Sequence, residues 1–233
     1  MGYALKKIYP NAINTGIYTF KDYLKLPEGS PYQLIEGELI MSPSPTSYHQ
    51  TVSKNLEFIL IGHVKANKSG VIFDAPIDVY LDEKNVYVPD IIFISNENKS
   101  IIRKKGIVGA PDLVIEILSV STMGYDEIVK KNVYLEAGVK EYITVNPAER
   151  IIKTYIDKNY LKLKRQVLPD ADAGSIKKTE TNALALSALN IQTIETDTSN
   201  AGGLFINTLN LSVPFNDIFE PDSEYQLKDD DVE

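Results

Sequence analysis

The chain contains no cysteine, which removes disulfides and thiolate metal sites and fits a reducing compartment. It contains no apolar run approaching the ~20 residues that span a bilayer. The opening MGYALKKIYPNAINTG has no continuous apolar stretch of the kind a secretory leader carries, so a cytoplasmic protein without a membrane partner is expected. Zinc-ligand spacing, a glycine-rich phosphate loop and a nucleophile elbow are all missing. Zinc-enzyme, NTPase and serine-hydrolase readings therefore have no support. Also scarce is positive charge: the net charge is −8 and the pI about 4.9, which argues against a nucleic-acid coat protein.

The acidity is unevenly placed. Residues 220–233 carry seven acids against Lys228, a net of −6, and residues 166–203 carry a net of −3, leaving the rest at +1. A near-neutral body leaves room for a local cationic cleft. With 233 residues, 43% of them hydrophobic, the chain is long enough for one sizeable domain with appendages.

Periodicity organises that body. YTFKDYLKL reads as a short helix and PEGSP breaks it, before an extended pair around Gly37. From His49 to Lys65, Val52, Leu56, Ile59, Leu60 and Val64 recur at spacings of three and four, an amphipathic helix with Ser47 as a plausible N-cap. GVIFDAPIDVYL, interrupted at Pro76, and VYVPDIIFIS read as strands joined by an Asp82–Asn85 turn. PDLVIEIL is a near-continuous apolar run, as in a buried central strand. Ser121 or Thr122 can cap a second helix that runs to Ala137 and stops at Gly138. EYITVNP is a further strand, and IIKTYIDKNYLKLKR reads as a hairpin turned at Asp157–Asn159. The order α-β-β-β-α-β predicts an α/β (α+β) fold: a mixed sheet flanked by helices. The expected organisation is a core over 1–165 with an N-terminal extension, a polar insertion over 166–203, a segment over 204–219 that docks back, and an acidic, disordered tail over 220–233.

Carboxylates inside apolar strands are the chemical anomaly. Asp90 follows Pro89 within VYVPDIIFI, and Glu116 interrupts LVIEIL. A buried ionised carboxylate is costly unless paired, hydrogen-bonded or metal-bound. Two of them on adjacent strands can chelate Mg²⁺, and a nearby lysine can steer the attacking water and offset phosphate charge. Asp90 alone also fits an ordinary strand-end acid, Asp112 a strand-start turn acid, and His49 a helix-start group. Between the carboxylate strands lies a basic run, Lys99, Arg103, Lys104 and Lys105, which fits a phosphate backbone or a solvated loop.

These segments, in order, resemble the PD-(D/E)xK nucleases and, more closely, the restriction-endonuclease-like Uma2 family. The resemblance runs over roughly 17–157, through YTFKDYLKLPEGSPYQLIEGELIMSPSPTSYHQ, VYVPDIIFIS, GAPDLVIEILSVST and YDEIVKKNVYLEAGVKEYITVNP. It implies a restriction-endonuclease-like core with Asp90 and Glu116 as metal ligands. The lysine of the superfamily pattern, two residues after the glutamate, is absent, because Leu118 stands there. The family's YDxxxK pattern assigns it to Lys130 on the following helix, with Lys131 as the alternative. Asp126, Lys130 and Tyr134 share one helical face. His49 and Glu36 fall where the family places recurring residues, whereas its usual glutamate in the YELIDGEL-like element is Gln33 here. The implied activity is a Mg²⁺-dependent (or Mn²⁺-dependent) DNA endonuclease, acting as a homodimer with DNA as partner. The competing expectation is a non-catalytic nucleic-acid or protein interaction module on the same fold.

Overall fold

A computed structural model describes residues 17–119, 123–167, 191–197 and 203–220. After a single-turn helix α1 (Phe20–Tyr23), strands β1 (Tyr32–Ile35) and β2 (Glu38–Met41) form a hairpin whose turn places Glu36 and Gly37 at positive φ. The amphipathic stripe becomes α2 (Ser47–Asn67), burying Val52, Leu56, Leu60 and Val64. Its N-cap is Thr46 rather than Ser47: the Thr46 hydroxyl accepts the His49 N–H at 3.2 Å and so satisfies one of the orphan donors of the first turn.

The two long extended segments each break and feed two different sheets. GVIFDAPIDVYL divides at Ala75–Pro76 into β3 (Gly70–Asp74) and β4 (Val79–Asp82). VYVPDIIFIS divides at Val88–Asp90 into β5 (Asn85–Tyr87) and β6 (Ile91–Ser95). A 3₁₀ segment, Asn96–Ile101, leads to short strands β7 (Ile102–Arg103) and β8 (Gly106–Val108), then to β9 (Leu113–Ile117). Met123 and Gly124 open the second helix, which passes through a π-helical turn, Tyr125–Lys130, into α3 (Lys131–Ala137). It stops at Gly138, where φ is 102°. The proposed caps Ser121 and Thr122 lie outside the described residues.

Next come β10 (Glu141–Asn146) and β11 (Ile151–Asp157). The expected second arm of a hairpin is instead helix α4 (Lys158–Val167), because Asp157 Oδ1 captures the Tyr160 N–H at 2.8 Å and starts a helix there. The antiparallel partner of β11 is β12 (Ile191–Asp197), drawn from within the segment read as a polar insertion. The ends of that insertion, Gln166, Val167 and Gly203, belong to α4 and to the next strand, whereas residues 168–190 and 198–202, and the tail beyond Glu220, lie outside the described residues. The docking segment forms the hairpin β13 (Gly203–Ile206) and β14 (Leu211–Pro214), then α5 (Phe215–Phe219).

The central sheet has the order β12-β11-β10-β9-β6-β3, parallel only between β9 and β10; the second has the order β2-β1-β5-β4-β8-β7. One face of the central sheet, with Ile91, Phe93, Leu113, Ile115 and Ile117, packs on α2 and the 203–219 segment. The opposite face, with Ile92, Ile94, Val114 and Tyr142, packs on the second sheet and α3. Docking of the C-terminal segment is both apolar and polar, since Asn55 Nδ2 donates to the Ile218 carbonyl at 3.1 Å and Arg150 pairs with Glu220 at 2.8 Å. Among the described residues no helix is long and apolar enough to cross a membrane.

Candidate active site

Strand parity brings the two carboxylates together. β6 and β9 are antiparallel with Ile91 opposite Ile115, and continuing that register by one residue sets Asp90 against Glu116. Asp90 lies just before the start of β6, where the chain crosses between sheets. Its Oδ2 accepts the Ile117 N–H at 2.7 Å, filling the place a strand partner would take. Gln33 braces the crossover: its side-chain oxygen accepts the Val88 N–H at 3.0 Å while its amide donates to Ser42 Oγ at 2.7 Å. The amide thus spans a donor and a hydroxyl at the position where the family pattern has a glutamate.

Glu116 is only 3% exposed, with Thr144 beside it on β10. Burial pushes its carboxyl well above the ordinary glutamate range, the Lys130 charge opposes this, and Asp126 and Asp90 add to it. Lys130, equally sealed at 3%, comes from the π-helical turn. Its Nζ lies 3.2 Å from Glu116 Oε1 and 2.8 Å from Asp126 Oδ1, and 5.9 Å from the centre of the Tyr87 ring. Burial alone would pull the ammonium down, but Asp126 and Glu116 outweigh it and hold it above the lysine range. The turn is fixed by the buried Tyr142 hydroxyl, which donates to the Asp126 carbonyl at 2.8 Å. Tyr87, Tyr134 and Tyr142 wall this side, with successive ring centres 5.2 and 5.4 Å apart.

From the other face of the sheet, His49 at the start of α2 brings Nε2 to 3.4 Å from Asp90 Oδ2. Burial works against its protonation, but the Asp90 carboxylate prevails and the net shift is upward. Asp90, Glu116, Lys130 and His49 therefore gather at one end of β9, joined by Asp126, which sequence reading used only to mark a helix face. Its signal was available: an acid four residues before a lysine on a helix.

The other sequence candidates lie elsewhere. Asp112 sits at the opposite end of β9, accepting the Ser95 N–H at 2.7 Å and the Asn98 amide at 3.2 Å, with Lys140 as its ion-pair partner. Glu36 is exposed at the β1–β2 turn, its N–H held by Asn85 Oδ1 at 2.9 Å, and among the described residues no bond links it to the carboxylates. Lys131 points to the ring of Tyr155, 4.8 Å away, rather than to Glu116. Lys99, Arg103, Lys104 and Lys105 are exposed on the 3₁₀ segment and the β7–β8 hairpin. Asn98 ties that loop to the Asp112 end of β9, roughly 13 Å from Glu116 at ~3.3 Å per strand residue.

Among the described residues no three His, Asp or Glu side chains stand close enough to cage a metal. A divalent ion held by two carboxylates and several waters needs no such cage. The donor set fits one. The site gathers, among the described residues, three carboxylates and one lysine, a formal −2 with His49 neutral. Among the described residues, the buried atoms His49 Nδ1, Tyr134 Oη and Thr144 Oγ1 near the carboxylates have no hydrogen-bond partner, and Asp126 Oδ1 has only its ion-pair contact with Lys130.

Comparison with known proteins bears on the family and the fold. Residues 20–186 match the model of the Uma2 family, described as "putative restriction endonuclease". An uncharacterized protein of Synechocystis sp. is 26% identical over 136 residues, covering 57% of this chain and 76% of the relative. A crystal structure from Anabaena variabilis, described as a "putative nuclease belonging to DUF820", superposes with a TM-score of 0.60 at 20% identity. It covers 86% of this chain and 97% of its own, and so shares the fold. With the family model spanning most of its length, the chain belongs to the Uma2 family of restriction-endonuclease-like proteins.

Proposed function

We propose that this chain is a divalent-metal-dependent DNA endonuclease that hydrolyses phosphodiester bonds. The observation that carries the reading is uncompensated negative charge: Asp90 and Glu116 oppose each other across neighbouring strands, and the lysine that pairs with Glu116 is shared with Asp126. Asp90 and Glu116 would hold the ion, Mg²⁺ or Mn²⁺, which suits oxygen donors. Bound there, it supplies Lewis acidity toward the phosphodiester and a nucleophile at neutral pH.

The chain's own groups do the rest. His49 and the Ile117 N–H fix the Asp90 carboxylate. Lys130, held protonated, offsets charge gathering on the phosphoryl oxygens as water attacks phosphorus. The P–O bond to one sugar then breaks with its electron pair going to that oxygen, which takes up a proton from solvent, while the attacking water loses one to solvent. Farther along, Lys99, Arg103, Lys104 and Lys105 track the DNA backbone. Cutting both strands takes two sites, so a homodimer is the expected functional form.

Supercoiled plasmid incubated with Mg²⁺ or Mn²⁺ tests this. Wild type is expected to nick it, Asp90→Ala and Glu116→Ala to abolish nicking, and Lys130→Ala to lower turnover more than DNA binding. Binding without cleavage across several DNA forms and both metals would leave the chain as an interaction module.

A further inference from the structure

Asp126 is the charged group of the pocket that this reading leaves without a task. It is 2% exposed, and as an ion-pair partner its Oδ1 lies nearer to Lys130 Nζ than Glu116 Oε1 does, 2.8 Å against 3.2 Å, while the ammonium donates its hydrogen bond to Glu116. The backbone around it is pinned, with Tyr142 bonded to its carbonyl and Tyr142 itself packed against Tyr134. Asp126 is therefore a fixed anion, and the ammonium at the end of a long flexible stem is the part that can move.

With Asp126 gone, the ammonium would keep only Glu116 as a buried anionic partner among the described residues and would tighten the contact it already makes there. A buried carboxylate so paired has its charge neutralised and an oxygen occupied. The cation that Asp90 and Glu116 are suited to hold would then have to displace that pair. We propose that Asp126 is a positioning residue, which draws Lys130 away from Glu116 and so keeps the Glu116 carboxylate open to a divalent cation. The inference rests on the metal-site reading above. It adds that the site needs a third carboxylate that never touches the ion.

Loss of any nearby negative charge weakens cation binding through space, so one variant is not enough. The test is a double-mutant cycle on the full chain, with Mn²⁺ binding read by EPR or calorimetry for wild type, D126N, K130M and D126N/K130M. D126N is expected to weaken Mn²⁺ binding about tenfold or more, because the cation must then compete with the Lys130–Glu116 pair. K130M is expected to bind Mn²⁺ at least as tightly as wild type, and the double variant to bind like K130M within about twofold. D126E, which keeps the charge, should restore most of the affinity. D126S replaces D126N in the cycle should the amide fail to fold, as judged by near-UV circular dichroism.

An equal loss from D126N with and without Lys130 would overturn the positioning role, leaving Asp126 as through-space charge. So would a D126N protein that binds Mn²⁺ like wild type. If wild type binds Mn²⁺ no better than D90N and E116Q do, the metal-site reading itself falls and takes this inference with it.

Discussion

Glu116 near the end of β9 and Glu141 at the start of β10 lie on neighbouring parallel strands of one sheet. Both are sealed from solvent, and burial pushes the carboxyl of each upward. Their surroundings differ. Around Glu141 four donors converge from one loop: the Asn207 N–H and amide on Oε1 at 2.8 and 2.9 Å, and the Thr208 N–H and hydroxyl on Oε2 at 2.7 and 2.9 Å. Among the described residues Glu116 has one ammonium, and shares it. A carboxylate saturated by four fixed donors has no capacity left for a cation and serves as a rivet, here fastening the β13–β14 hairpin to the central sheet. A carboxylate with a half-share of one lysine keeps charge available. Burial of an acid therefore does not by itself indicate chemistry, whereas its unspent hydrogen-bonding capacity does.

The largest effect that would separate the two is on folding. Glu141→Ala strands four donors and is expected to cost about 3–5 kcal/mol in urea unfolding, as for a broken buried polar network. Glu116→Gln should leave stability unchanged or raised, because Lys130 keeps Asp126. A loss at Glu116 as large as that at Glu141 would break the comparison.

Activity should show the reverse. Glu116→Gln is expected to lower metal-dependent cleavage by about 100-fold or more, equivalent to ~2.7 kcal/mol. Variants at Glu141 that still fold should cleave normally.

A smaller effect is expected in pH dependence. A carboxyl raised above its ordinary value of 4.5 costs the fold whenever it is ionised. That cost is complete above the folded pKa and gone below the ordinary value. In metal-free buffer, the rise in thermal midpoint for Glu116→Gln should therefore be greatest at pH 8 and vanish as the pH falls toward 4. A gain independent of pH would point to packing instead of charge.

The smallest effect belongs to the basic loop. Replacing Lys99, Arg103, Lys104 and Lys105 with Ala should weaken DNA binding mainly at low salt and reduce the salt slope by about three to four, at ~0.9 per phosphate contact. Unchanged anisotropy titrations would show that DNA does not reach the Asp112 end of β9.

Local pattern by itself determined the first three helices and the anomaly. Five apolar residues at three- and four-residue spacings marked α2, and a glutamate inside LVIEIL could not be an ordinary strand residue, because an unpaired buried carboxylate is too costly. Order and spacing of the segments carried the family resemblance, and with it Lys130. Tertiary structure alone decided how these pieces pair. A period-two pattern says which side of a strand is apolar but not which sheet it joins, so the crossovers at Ala75–Pro76 and Val88–Asp90 were invisible. So was β12 as the partner of β11, where alternating residues after Asp157 suggested a hairpin and a side-chain cap made a helix. The same limit hid the contrast between the two glutamates. The donors that saturate Glu141 stand 66 and 67 residues away in the chain, and whether Lys130 belongs to Glu116 or to Asp126 depends on tenths of an ångström set by the packed helix. Periodicity is a property of neighbours along the chain, whereas the satisfaction of a buried charge is a property of neighbours in space.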